Sequence, residues 1–204
     1  WNTEHPYLYT LILQNADETI EDAIALRTVA IQERVLYFNG QAIKLRGVNR
    51  HDSDPVTGFT VDVAKIRKDL VLMKEHNFNA IRSSHYPNAP YFYQMCDRYG
   101  FLVCDEADIE AHGPFMLYRK EDTDYNRFKK WNEKIADDPA WEQAILDRVK
   151  RMVARDKTDS VSFSGRWEMR VRMDAILKRR LHGQRNTIHP VSRSMRVRGI
   201  GITM

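Results

Sequence analysis

The stretch from Asn79 to Gly113, NAIRSSHYPNAPYFYQMCDRYGFLVCDEADIEAHG, brings Arg82, His85, Asp105, Glu106, Glu110 and His112 close together in sequence, and Asn49, Arg50 and His51 precede it. Carboxyls, imidazoles and a guanidinium in that mixture suit cleavage of a glycosidic bond. One carboxyl protonates the leaving oxygen while another attacks the sugar or activates water, roughly 5 Å apart when configuration is retained. Histidine and arginine can hold the sugar hydroxyls around them. Each residue also has a plainer use. A lone histidine often serves as a hydrogen-bonded structural residue, and acidic groups such as Asp105 and Glu106 can simply anchor an arginine. Tyr91, Phe92 and Tyr93 read as helix packing rather than as a base-stacking platform.

These residues need elements that aim them at one place. The opening third alternates as strands do, in YLYTLILQ, ALRTVAIQERVLYF and QAIKLRGV, and Asn39-Gly40 readily takes the positive backbone angles of a two-residue hairpin turn. After Asn49 the rhythm becomes strand, helix, strand. VDVAKIRKDLVLMKEHN places Val63, Ile66, Leu70 and Met73 on one helical face, FNAIRSS reads as a short strand, and a helix from about Ala89 to Arg98 is stopped by Gly100. FLVCDEADIE then reads as a buried strand with an acidic end, and DPAWEQAILDRVKRMVARDK as a third helix. Such alternation implies an α/β fold with a parallel sheet, and eight such units close a TIM (β/α)8 barrel with its chemistry at the carboxyl ends of the strands. Asn49 to His51, Arg82 with His85, and Asp105 to His112 each follow a predicted strand, so three successive units present polar groups to one rim.

Composition narrows the classes. The chain has 204 residues, 43% of them hydrophobic, enough for a sizeable core. No apolar run approaches the roughly 18 residues of a membrane span, and WNTEHPYLYT lacks the pattern of a secretory signal, so a soluble protein without a membrane partner is expected. Cys96 and Cys104 are too few for a disulfide framework and fit a reducing cytoplasm. The net charge of +4 is unevenly distributed. From Ser160 onward there are ten Lys and Arg against two Asp and Glu, a balance of +8. The preceding 22 Lys and Arg against 26 Asp and Glu give −4. The folded-looking part is therefore acidic, and nucleic acid is not an expected partner.

Asn79, Arg82, His85, Tyr86 and Pro87, followed by Asp97, Gly100 and an apolar run, resemble a signature of glycoside hydrolase family two. GVNRHD from Gly47 and DEADIEAHG from Asp105 narrow the resemblance to the large bacterial β-galactosidases, with the β-glucuronidases of the same family as the alternative. The similarity runs from Trp1 to about Lys157. It implies that residues 1–34 are the last strands of an immunoglobulin-like β-sandwich domain and that 35–159 are the first three βα units of a catalytic TIM barrel. It further implies that His51 and His85 contact galactose and support the transition state, that Arg82 positions neighbouring carboxylates by forked hydrogen bonds, and that Glu110 and His112 bind magnesium. The substrate so implied is a terminal β-D-galactoside, and intact relatives are homo-oligomers. Ala111 and Asp108 depart from the threonine and asparagine usual in the family, and neither change removes a ligand.

The resemblance breaks after Lys157. A fourth strand should carry an Asn-Glu pair whose glutamate is both general acid/base and metal ligand, whereas this chain reads DSVSFSGRWEMRVRMDAILKRRLHGQRN. Trp and Met have one codon each, so the bases under Trp167 to Val171 can be read in another register. From the third base of each triplet they encode glycine, then Asn or Asp, then Glu or Ala, and then permit serine. Gly-Asn-Glu-Ser is what the fourth strand should say. Residues 160–204 are therefore expected to be a frameshifted tail, both catalytic glutamates to be missing, and the chain to be an inactive, poorly soluble β-galactosidase fragment. A non-catalytic sugar- or magnesium-binding remnant is the rival from another class.

Overall fold

The structure is a computed structural model that describes residues 1–109, 138–156 and 162–163, together with the single positions 113, 116, 123, 133 and 135. The first strands are antiparallel. Strand β1, Tyr9–Gln14, pairs with β2, Thr19–Ile24, in a hairpin whose turn is tied by Asn15, the side-chain oxygen of which accepts from the amides of Asp17 and Glu18 at 2.8 Å each. A separate meander follows, made of β3 (Val29–Gln32), β4 (Val35–Phe38) and β5 (Gln41–Ala42). The Asn39-Gly40 turn forms as its residue types predict, with φ of 48° and 78°. The turn joining β3 to β4 was not signalled. Glu33 and Arg34 adopt φ of 48° and 66° without glycine or asparagine, so what reads as one long strand is two, and the meander lies on both sides of residue 35.

The rest is a parallel sheet in the order β6 (Gly47–Arg50), β7 (Ala80–Ser83), β8 (Leu102–Cys104) and β9 (Ser162–Phe163). Helix α1, Val63–Glu75, connects β6 to β7, and α2, Pro90–Tyr99, connects β7 to β8. Helix α3, Glu142–Asp156, led by a 3-10 turn over Pro139–Trp141, precedes β9. Parallel neighbours need such crossovers, because a tight turn cannot reverse the chain twice. The sequence alone predicts three such units. The backbone of Ser162–Phe163 nevertheless pairs in parallel with Val103 and Cys104, adding the start of a fourth strand.

Local signals set the helix ends. Asp62 accepts from the amide of Lys65 at 2.7 Å and caps α1, while Pro90 opens α2 where its missing N–H costs nothing. Gly100 closes α2 at φ 76°, and a side chain there would meet the carbonyl oxygen of Thr3 at 2.4 Å. Ile66, Leu70 and Met73 of α1 pack with Phe92, Tyr93 and Cys96 of α2 against Ile81, Phe101 and Val103. Each large apolar side chain so buried stabilises the fold by about 1.5–3 kcal/mol. Val63, the first residue of α1, lies beyond the buried stripe and is 52% exposed. Gly47 lies so close to β7 that a Cβ would sit 2.2 Å from the Ala80 carbonyl oxygen. The packed sheet thus fixes the carboxyl ends of β6, β7 and β8 as neighbours.

Candidate active site

Alternation along β6 sends Asn49 and Arg50 to opposite sides of the sheet. Arg50 is buried beneath the rim, with its guanidinium 5.1 Å from the centre of the Phe92 ring. It is bound to Asp52 at 2.5 Å, Asp69 at 3.3 Å and the Asn88 side chain at 3.2 Å. Sequence position alone grouped it with the rim. The Asp52 amide donates to the Tyr86 hydroxyl at 2.9 Å, so the loops after β6 and β7 are cross-linked on either side of His51. The exposed His51 ring stands edge-on to His85, with centroids 5.5 Å apart.

Arg82, the third residue of β7, lies on the opposite side and meets Glu106, two residues past β8. Its Nε donates to Glu106 Oε1 at 2.6 Å, and Nη2 converges on the same oxygen at 2.5 Å. Nη1 donates to Asn49 Oδ1 at 3.3 Å. Glu106 Oε2 lies 2.9 Å from His85 Nδ1, which in turn lies 3.2 Å from Arg82 Nη2. His85 Nδ1 thus stands between a guanidinium that can only donate and a carboxylate that can only accept, and the ring is tied to both through that one nitrogen. Two arms of the Arg82 guanidinium meet a single oxygen of a single carboxylate, Glu106 Oε1. Glu106 is 4% exposed, and its charge is tolerated because both oxygens are engaged. That makes it an anchor for Arg82 and His85 rather than a nucleophile.

Beneath this arc lies a layer that sequence reasoning did not assemble. The Glu106 amide donates to Ser83 Oγ at 3.0 Å, and Ser83 Oγ donates to Asp105 Oδ1 at 3.0 Å. The Tyr93 hydroxyl also donates to that oxygen, at 2.6 Å, and accepts from the Asn88 amide at 3.0 Å. Asp105 therefore faces the interior, not Arg82. Burial first, and then the nearby Asp156 carboxyl, raise its pKa to about 7 against the opposing hydrogen bonds from Tyr93 and Ser83. The Tyr93 hydroxyl is pushed up by burial and then by the Asp105 charge. Arg155 binds Asp156 through Nε at 2.5 Å and Nη2 at 2.9 Å, and also donates to the Asn88 carbonyl at 2.9 Å. No motif announced Arg155 or Asp156. Their signal is only a charged pair at the end of an apolar helix face.

The described residues thus bring together His51, Arg82 and His85, while Glu110 and His112 lie outside them. Among the described residues no group of three His, Cys, Asp or Glu side chains could hold a metal, and no helix is long and apolar enough to cross a membrane.

Residues 29–161 match the sequence pattern of the TIM barrel domain of glycosyl hydrolases family 2. The chain is 47% identical over 172 residues to a β-galactosidase of Actinobacillus pleuropneumoniae, an alignment covering 77% of this chain and 17% of that protein. It is also 47% identical over 154 residues to a β-galactosidase of Staphylococcus xylosus, covering 75% and 15%. The chain spans less than a fifth of the length of either relative. Among solved structures, it is similar to a β-D-glucuronidase of Dictyoglomus thermophilum, with TM-score 0.63 and 24% identity over 79% of this chain and 27% of that one. A Bifidobacterium dentium β-glucuronidase complexed with coumarin-3-O-glucuronide gives TM-score 0.61 and 24% identity, covering 79% and 24%. At that identity the structural likeness concerns the fold.

Proposed function

We propose that this chain, which belongs to glycosyl hydrolase family 2, supplies the first arc of the sugar pocket of a retaining β-galactosidase acting on terminal β-D-galactosides. The observation that carries this reading is the Glu106 anchor, which meets Arg82 through two N–H groups and His85 at Nδ1, where the ends of β7 and β8 adjoin. His51, edge-on to His85, would share the galactose hydroxyls. Galactoside is preferred to glucuronide because the sequence likeness is to β-galactosidases at 47%, against 24% for the glucuronidase structures. The hairpin of residues 9–24 is read as the end of the preceding β-sandwich.

The arc lacks its reacting groups. Retaining hydrolysis needs an acid/base and a nucleophilic carboxyl roughly 5 Å apart, and Glu106 is committed to Arg82 and His85. After Ser162–Phe163, where the fourth strand starts, the sequence runs SGRWEMR without an Asn-Glu pair. A slipped register in the bases encoding residues 160–204 accounts for that loss and leaves the chain inactive. Glu110 and His112 would join a magnesium site only with further oxygen ligands. One carboxylate and one imidazole do not meet that ion's octahedral oxygen preference, and no step here runs through a metal.

Galactose titration of the full chain, followed by the ring resonances of His51 and His85, tests the binding reading. Saturable shifts with galactose and none with glucuronate are expected. A preference for glucuronate would assign the arc to the other branch of the family.

A further inference from the structure

Asp105 and Asp156 are both almost fully buried, 3% and 2% exposed, and they meet around Tyr93 and Arg155: the Tyr93 hydroxyl donates to Asp105 Oδ1 at 2.6 Å and accepts at 3.4 Å from Arg155 Nη2, which donates to Asp156 Oδ2 at 2.9 Å. Donors to the pair are unequally shared. Tyr93 and Ser83 hydroxyls both go to Asp105 Oδ1, and Arg155 goes to Asp156, whereas Asp105 Oδ2 is buried and no donor among the described residues reaches it. Two carboxylates beside one guanidinium would leave a net buried negative charge, which is costly. One proton on Asp105 Oδ2, donated to Asp156, removes both difficulties at once. The orphaned oxygen gains a partner, and the Asp105, Asp156 and Arg155 group becomes neutral. Arg155 gives two N–H donors to Asp156 while Asp105 Oδ2 has none among the described residues, so the proton is placed on Asp105.

We infer that Asp105 is a positioning residue that shares a proton with Asp156, clips the last turn of α3 to the end of β8, and through Ser83 sets the backbone of Glu106. The relay is short. Asp105 Oδ1 orients Ser83 Oγ, and that oxygen accepts the Glu106 amide at 3.0 Å. Glu106 in turn holds Arg82 and His85. Among the described residues, the titratable and charged groups facing the pair are Tyr93 from α2 and Arg155 from α3, and neither supplies Oδ2 with a hydrogen. Loss of the shared proton sets two negative charges against each other and loosens the clip, so the sugar-binding arc is aligned below neutral pH and relaxes above it. The consequence for sugar rests on the proposed β-galactoside reading, whereas the proton pair does not.

The test is carboxyl carbon NMR of the full chain without sugar. The Asp105 carboxyl is expected to titrate near pH 7, with the Glu106 amide resonance following the same midpoint. In Asp105→Asn, whose amide is a permanent donor to Asp156, the Glu106 amide should no longer move in that range. In Ser83→Ala, Asp105 should still titrate near pH 7 while Glu106 ceases to follow. An Asp105 midpoint near 3.8 in the unaltered chain overturns the shared proton, and Glu106 following unchanged in Ser83→Ala overturns the relay. Failure of galactose to move His85 would instead sink the binding reading and leave the pair standing.

Discussion

His85 Nδ1 and Glu106 Oε2 lie 2.9 Å apart, joining the loop after β7 to the residues after β8. The contact ties the His85 ring to the same carboxylate that binds Arg82. Through this pair the ends of β7 and β8 are joined at one rim of the sheet.

Replacing Glu106 by alanine should cost about 3–5 kcal/mol of stability, because the half of the pair that remains is a poorly hydrated arginine. Urea unfolding of the variant and of the double variant Glu106→Ala with Arg82→Met checks this, and the double variant should recover part of the loss. A loss below about 1 kcal/mol in the single variant would show the pair to be solvent-screened.

Stability should depend on Asp105 with a definite sign. Its pKa is raised in the folded chain, so its contribution is fully present below 3.8 and is lost as pH rises through about 7. The difference in melting temperature between the unaltered chain and Asp105→Asn should therefore shift in favour of the variant from pH 5 to pH 8. A pH-independent difference would contradict this.

Phe92 is fully buried between α1, α2 and the sheet and lies under the Arg50 guanidinium. Phe92→Ala should destabilise the chain by about 3–5 kcal/mol, with the β6 end most affected in hydrogen exchange. Uniform loss of protection across the sheet would argue against a local role for the Arg50 contact.

Gly47→Ala should disrupt the first parallel pairing, since the added carbon would lie 2.2 Å from the Ala80 carbonyl oxygen. Backbone atoms cannot step aside as a flexible side chain can. The expected readout is lost protection of amides in β6 and β7, with β8 less affected.

The coding DNA should contain a one- or two-base slip near Asp159 that restores Gly-Asn-Glu-Ser across Trp167 to Val171. An uninterrupted frame that specifies the written residues would remove the frameshift from the account.

Much of this fold was legible where local chemistry decides it. Asn39-Gly40 made its turn, Gly100 ended α2, and the spacing of Ile66, Leu70 and Met73 placed the buried face of α1. The Glu33-Arg34 turn was not legible, because its residue types do not prefer positive φ and only strand pairing imposes it. Arg50 was misjudged for the same kind of reason. Being at a strand end did not say which face it takes, and alternation turned it toward Phe92 and Asp69. Arg82, His51 and His85 converge as their positions after successive strands predict. The Asp105–Asp156 pair joins residues far apart in sequence, and nothing in either neighbourhood encodes that meeting.

The most direct measurement is hydrolysis of a chromogenic β-galactoside by the purified full chain, with His85→Ala beside it. No turnover above buffer is expected in either, since the proposed sugar-binding arc has no carboxyl pair for retaining hydrolysis among the described residues. Galactoside turnover by the unaltered chain that disappears in His85→Ala would contradict that expectation.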